Sequence, residues 1–308
     1  MLPTPGLPSF DYCKPTSPAE VTKLLLKRDG DARLFMGGTD VFVRMRDGFI
    51  APKFLIDVKR LPGMTAIKFG KRAGLTIGAG VDMNSIARHP AVVENYPILA
   101  EALDAVAAYQ LRTRATMGGN LCNASPAADT APAAFVLGAN LVLYGRRGER
   151  VVPAEKFFLG PGKTAMKPGE FLLRIEIPPL PKGAVGRYLK LGRNAHGDLA
   201  IVGVAMLGYP DKRAKSGYAF RIALASVAPT PLRVPKAEAI LSASPLTPQV
   251  IARATTAAME TAKPISDVRS SAEYRQAMVK TLTRRAVESV LKQLGASQSP
   301  VVRMGAGG

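Results

Sequence analysis

Apolar and polar positions alternate in short runs along this chain, and they predict many small elements. Ser17-Pro18-Ala19-Glu20 reads as a helix start. Ser17 would be the N-cap, Pro18 the first helical residue, and Glu20 the closing residue of a capping box. Val21, Leu24 and Leu25 give that helix one apolar face, and Gly30 ends it. Residues 10–12 and 33–36 read as short strands, and the unbroken apolar run at 54–58 as a buried one. Residues 66–69 and 75–80 read as a strand pair bent at Lys71-Arg72, after which Asp82 caps a short helix through Ala87. An amphipathic helix is expected over 97–108. Residues 140–144 and 150–152 form a predicted hairpin, 157–164 a loop rich in Gly and Pro, and 171–177 a strand ending at Pro178-Pro179. The Pro-rich step at 178–181 is the expected domain boundary.

Beyond it, 186–191, 201–209 and 220–227 have strand composition at hairpin-like separations, predicting a three-stranded antiparallel sheet. Thr247-Pro248 starts a helix to about 262. Ser270 with Glu273 forms a capping box for another, from about 271 to 294, ended by Gly295. Its expected inward stripe is Tyr274, Met278, Leu282, Ala286, Val290 and Leu294. Residues 296–308 are small, polar and Gly-rich, and a disordered tail is expected there.

Composition narrows the function classes. With 308 residues and 47% apolar content, two ordinary domains with real cores are expected. Cys13 and Cys122 are the only cysteines, so a disulfide framework is excluded and a reducing cytoplasm fits. Met1 to Gly6 has no signal-peptide pattern, and no apolar run approaches a membrane span. His89 beside Pro90 has no ligand-spaced acidic or Cys neighbour, so no metal site is expected. The net charge of +19 comes from 42 basic and 23 acidic residues spread along the chain. Scattered charge, few aromatics and no helix-turn-helix or zinc-finger pattern argue against nucleic acid. Acidic partner subunits and a generally basic surface both stay open.

Two glycine pairs carry the candidate chemistry. Phe35-Met36-Gly37-Gly38-Thr39-Asp40 places one after a short apolar run. Thr116-Met117-Gly118-Gly119-Asn120 places the other ahead of Pro126-Ala127-Ala128-Asp129-Thr130, which opens an apolar segment at 133–137 that looks helical. Such turns let backbone N–H groups approach an anion with no Cβ between. Two of them could grip the two ends of a diphosphate. Arg112 and Arg114, just upstream, are readable as phosphate contacts, partner contacts or salt-bridged surface.

These motifs resemble the FAD-binding medium subunit of the molybdenum hydroxylases, the flavoproteins of carbon monoxide dehydrogenase, xanthine dehydrogenase and 4-hydroxybenzoyl-CoA reductase. The resemblance runs from about residue 10 to 294. It implies an α+β chain: a vanillyl-alcohol oxidase-type two-subdomain FAD-binding domain, then a small domain with a three-stranded antiparallel sheet and helices. The expected limits are 1–178, with subdomains of about 1–58 and 59–178, and 182–295. FAD would lay its diphosphate between Met36, Gly37, Gly38, Thr39, Asp40 and Thr116, Met117, Gly118, Gly119, Asn120, with all four glycines clearing a path for it. By the same resemblance Asp129, Leu172 and Lys190 contact the cofactor. A carboxylate at Asp129 suits ribose or ribityl hydroxyls, and a cation at Lys190 suits reduced, anionic flavin.

The chain departs from that pattern after Gly197-Asp198, where Leu199 stands in place of Tyr or Trp. Two cysteines cannot ligate the 4Fe–4S cluster of the 4-hydroxybenzoyl-CoA reductase type. Cys122 reads as a small buried thiol. The implied role is electron transfer. A large partner subunit would carry molybdopterin and a small one two 2Fe–2S clusters, in a dimer of heterotrimers, with an external acceptor such as NAD or a quinone. No nucleophile–base constellation is present, so no amino-acid general acid or base is expected. The alternative is a free-standing FAD-dependent oxidoreductase of the same fold.

Overall fold

The computed structural model describes residues 6–28, 30–194 and 197–295. The tail expected at 296–308 lies outside the described residues. The chain opens with β1 (Asp11–Cys13), α1 (Pro18–Lys27), β2 (Ala32–Phe35), α2 (Val41–Arg46) and β3 (Phe54–Asp57). The strands make a small parallel sheet in the order β1-β3-β2. Ser17 caps α1 by accepting from the Glu20 N–H at 3.3 Å. The Glu20 carboxylate reaches back one residue further than a capping box requires, accepting from the Thr16 N–H at 2.8 Å.

A second subdomain follows: β4 (Ile67–Gly70), β5 (Gly74–Gly78), α3 (Met83–Arg88), α4 (Pro90–Asn95), α5 (Pro97–Asp104), α6 (Tyr109–Arg112), α7 (Met117–Asn123), α8 (Thr130–Val136), β6 (Asn140–Gly145), β7 (Gly148–Pro153), β8 (Phe158–Gly160), β9 (Lys163–Thr164) and β10 (Phe171–Ile177). Five of these strands form an antiparallel sheet in the order β4-β5-β10-β6-β7. Two local expectations need correction. The single helix expected over 97–108 is broken after Asp104, where the chain turns through Ala107 at φ +43° before α6. The loop expected at 157–164 is the two-stranded hairpin β8–β9.

The last part holds β11 (Val185–Leu191), β12 (Val202–Pro210), β13 (Tyr218–Ala225), β14 (Leu232–Arg233), α9 (Pro235–Ser242), α10 (Pro248–Thr261) and α11 (Ala272–Gln293). Its sheet has four antiparallel strands rather than three, because β14 adds an edge to β13. Helix α9 was not expected either. Two-residue β14 is too short to show any period, and α9 announces itself only by Pro235 at its first position. Both faces of the sheet are covered. Val204, Met206, Ile222 and Leu224 pack into a core with α10 and α11, while Ala205, Leu207 and Ala223 join the core of the preceding domain. That double burial explains the unbroken apolar run of β12.

Helix α11 also turns differently from its expected stripe. Tyr274 is half exposed, and Arg275, Val279, Leu282, Ala286 and Val290 face inward. The Arg275 guanidinium fixes this face by donating to the Ile201 and Ser226 carbonyls and to Asp267 at 3.1, 3.0 and 2.7 Å. The cap is Ser271, not Ser270, and accepts from the Tyr274 N–H at 3.2 Å. Among the described residues no helix is long and apolar enough to cross a membrane, and no cluster of three His, Cys, Asp or Glu could hold a metal.

Candidate FAD site

Strand β2 delivers the first glycine turn, and its base is braced from below. Asp57, at the end of β3, accepts from Tyr12 Oη at 2.5 Å and lies 3.0 Å from Lys59 Nζ. The Lys59 ammonium sits 3.7 Å from the Phe35 ring centroid, beside Met36. The second turn is the start of α7. Thr116 caps it by accepting from the Gly119 N–H at 2.9 Å, and Thr130 donates to Asn120 Oδ1 at 2.6 Å. The two turns are tied directly: Asn123 Nδ2 donates to Asp40 Oδ1 at 3.2 Å.

Between them lies a cavity of about 600 Å³. Met36, Gly37, Gly38, Thr39 and Asp40 line one side, and Thr116, Gly119, Asn120 and Leu172 line the other. Apolar surface comes from Val58, Met83 and Val106, among others. Arg33, Arg44 and Lys163 also line it. Sequence reading missed these three cations, and among the described residues none of them forms an ion pair or donates a side-chain hydrogen bond. The β8–β9 hairpin brings Lys163 into place through a Gly162 N–H to Ala124 carbonyl bond of 3.0 Å.

The four glycines turn out to serve different ends. A Cβ at Gly37 would drive into the Arg114 carbonyl oxygen, and one at Gly118 into the Ala79 backbone, with the Ala79 Cβ 2.8 Å away. Gly38 holds φ at +76°, a left-handed value that side chains resist. Gly37, Gly38 and Gly119 all line the cavity, and of the four glycines Gly119 is the least crowded: a Cβ there meets only Thr116 Oγ1, at 2.9 Å. Met117 and Gly118 stand behind the cavity wall, fully buried in the case of Met117.

Asp129 and Lys190 are also off the lining. They form a buried ion pair at 2.9 Å, with the Tyr188 hydroxyl donating to the other Asp129 oxygen at 2.7 Å. Burial pushes the Asp129 carboxyl above its ordinary value, opposed by the Lys190 charge and the Tyr188 hydrogen bond. The pair joins α8 to β11 across the domain seam. Lys190 also donates to the Ala105 carbonyl at 2.7 Å, next to the cavity residue Val106. Arg112 is neither a phosphate contact nor a surface residue: it is buried, with its guanidinium on backbone carbonyls. Cys122 lines the cavity, and burial pushes its thiol up to about 12, so it stays protonated. Leu199 is exposed.

These features suit a dinucleotide. The volume is within the roughly 300–1,000 Å³ of sites that enclose small molecules. Unpaired cations beside a Cβ-free wall suit a diphosphate, and the apolar floor suits a flat ring system. Residues 8–180 match the family described as the FAD binding domain in molybdopterin dehydrogenase, and residues 187–290 match the CO dehydrogenase flavoprotein C-terminal domain. The chain belongs to the FAD-binding medium subunits of the molybdenum hydroxylase family, and is the flavoprotein component of an oxidoreductase. It is similar to the carbon monoxide dehydrogenase medium chain of Hydrogenophaga pseudoflava, with 34% identity over 92% of this chain and 97% of that one. It is also similar to the xanthine dehydrogenase FAD-binding subunit of Escherichia coli O157:H7, with 29% identity over 88% and 92%. Among solved structures, the Hydrogenophaga pseudoflava carbon monoxide dehydrogenase that lacks the Mo-pyranopterin moiety of its cofactor superposes with a TM-score of 0.89. That match has 33% identity and covers 94% of this chain and 99% of that chain.

Proposed function

We propose that this chain is the electron-transfer subunit of a cytoplasmic molybdenum hydroxylase. It would take electrons from 2Fe–2S clusters of a small partner subunit and pass them to an external acceptor such as NAD or a quinone. A large subunit carrying molybdopterin would oxidise the substrate, and the whole would assemble as a dimer of heterotrimers. Bound FAD supplies the redox chemistry, which converts single-electron input into two-electron output. The chain's own residues bind and orient it. Gly119 and Asn120 face Gly38 and Thr39 across the cavity, and Arg33, Arg44 and Lys163 offset diphosphate charge. Asp129 and Lys190 support the cofactor wall from behind, through the Ala105 carbonyl that Lys190 holds next to Val106. The observation that carries this reading is the cavity itself: two tied glycine turns with three unpaired cations around them.

Assembly is supported by apolar side chains left in solvent. Ile265 and Val268 are 70% and 97% exposed, near Leu199, because Arg269 of the same loop donates to the Ala200 carbonyl at 3.3 Å. Exposed apolar groups of this kind suit a subunit contact better than a free-standing flavoprotein. The test is to titrate the purified chain with FAD and follow visible flavin absorption, with Gly119→Val as control. Stoichiometric binding by the native chain, lost in the variant, is expected. A complex purified from the native host without flavin would sink the reading.

A further inference from the structure

Four carbonyls in succession leave the end of α5, and two cations take all of them. Arg112 Nη1 donates to the Asp104, Val106 and Ala107 oxygens at 2.9, 2.9 and 3.2 Å. Lys190 Nζ takes the Ala105 oxygen at 2.7 Å. The last carbonyls of a helix have no partner within it, and the dipole there favours positive charge. Arg112 is itself held. It is 8% exposed, its Nε donates to Asn84 Oδ1 at 3.1 Å, and its Nη2 lies 3.5 Å from Asp104 Oδ1. Asn84 in turn donates to the Tyr109 carbonyl at 3.0 Å.

The loop so gripped is strained. Ala107 sits at φ +43°, a left-handed backbone that alanine adopts only where its surroundings over-determine it. Its neighbour Val106 is part of the cavity wall. A planar guanidinium can reach three carbonyls and an amide oxygen at once, which a single ammonium cannot.

We propose that Arg112 is a positioning residue for the FAD cavity. By capping the carbonyls of residues 104, 106 and 107 it holds the left-handed turn that sets Val106 into the cavity wall. Lys190, from the second domain, fixes the remaining carbonyl, so docking of that domain and the shape of the wall are linked. The inference rests on the FAD reading above.

The test uses the full-length chain. The FAD dissociation constant is measured by flavin fluorescence, together with the visible band of bound flavin and the urea midpoint of the FAD-free chain. Arg112→Lys keeps the charge but not the fork. It should weaken FAD about tenfold or more, ~1.4 kcal/mol per decade, and change the bound flavin band. Adding Ala107→Gly should restore part of the affinity, because glycine enters the left-handed region freely. Native affinity and an unchanged band in Arg112→Lys would overturn the proposal. So would a loss that Ala107→Gly leaves unrelieved. Should Arg112→Lys fail to fold, Ala107→Val decides: it leaves Arg112 in place, excludes the left-handed turn and should weaken FAD, and native affinity would overturn the proposal. If the native chain alone binds no FAD, the same variants are measured in the complex purified from the native host, where a flavin-free native complex would instead bring down the functional reading, and this inference with it.

Discussion

Gly37-Gly38 and Gly118-Gly119 are spelled alike, yet their residues are glycine for different reasons. Gly37 and Gly118 are packing glycines: each lets two backbone segments touch, Gly37 against Arg114 and Gly118 against Ala79. Gly38 is a conformational glycine, at φ +76°. Gly119 keeps an ordinary helical backbone and opens onto the cavity. A shared motif therefore divides into architecture, backbone freedom and ligand approach. Three of the four glycines would be needed even if nothing bound.

The comparison breaks most visibly at Gly37. Gly37→Ala should cost about 3 kcal/mol in urea unfolding, the upper end for overpacking, because rigid backbone rather than a side-chain tip blocks the new methyl. Gly118→Ala should behave similarly, with FAD affinity falling only as the fold does. An unchanged midpoint in either variant would show that these backbones are not pressed together.

At Gly38 the effect should be smaller. Alanine there takes a left-handed backbone at about 1–2 kcal/mol. The atoms it meets, Phe35 Cε2 at 2.5 Å and Phe42 Cδ2 at 2.8 Å, belong to side chains rather than to backbone. Gly119→Ala should separate stability from binding. The helix gains up to ~1 kcal/mol from alanine, and displacement of the Thr116 cap costs about as much. The urea midpoint should hardly move while FAD affinity drops about tenfold, ~1.4 kcal/mol. Equal losses in both measurements would place Gly119 with the packing glycines.

Much of this was legible in the chain. Ser17 and Thr247 announced their helices because an N-cap is a local device. The two glycine turns could be found because the reasons for glycine act within a few residues, though not told apart, since Arg114 and Ala79 are distant in sequence. The break between α5 and α6 was not legible. Residues 104–108 have no breaker of their own, and the turn depends on where Arg112 and Lys190 end up. The site's cations were hidden for a different reason. Arg33, Arg44 and Lys163 are three among 42 basic residues, and only the fold gathers them at one cavity. The extra strand β14 rests on two residue pairings with β13, below any periodic signal.

The smallest expected effect concerns the strap between the turns. Asp40 lines the cavity with its surface open to solvent, and desolvation by the protein around it raises its carboxyl above the ordinary value, with Arg44 pulling the other way. The unfolded chain would titrate near the usual value of about 3.9. A carboxyl raised on folding binds its proton more tightly in the native state. Its contribution to stability is therefore full below about pH 3.9, and is lost as pH climbs through the folded value. Asp40→Asn cannot ionise, yet its side-chain oxygen can still accept from Asn123. The variant should match the native chain at low pH and become the more stable of the two towards neutrality. Part of the Asp40 surface stays open to solvent, so screening should hold the difference to about 0.5 kcal/mol or less. Urea midpoints from pH 4 to 8 would check this, and a native chain that becomes the more stable of the two towards neutrality would mean that the ionised carboxylate, held by Asn123 and Arg44, ties the two turns together.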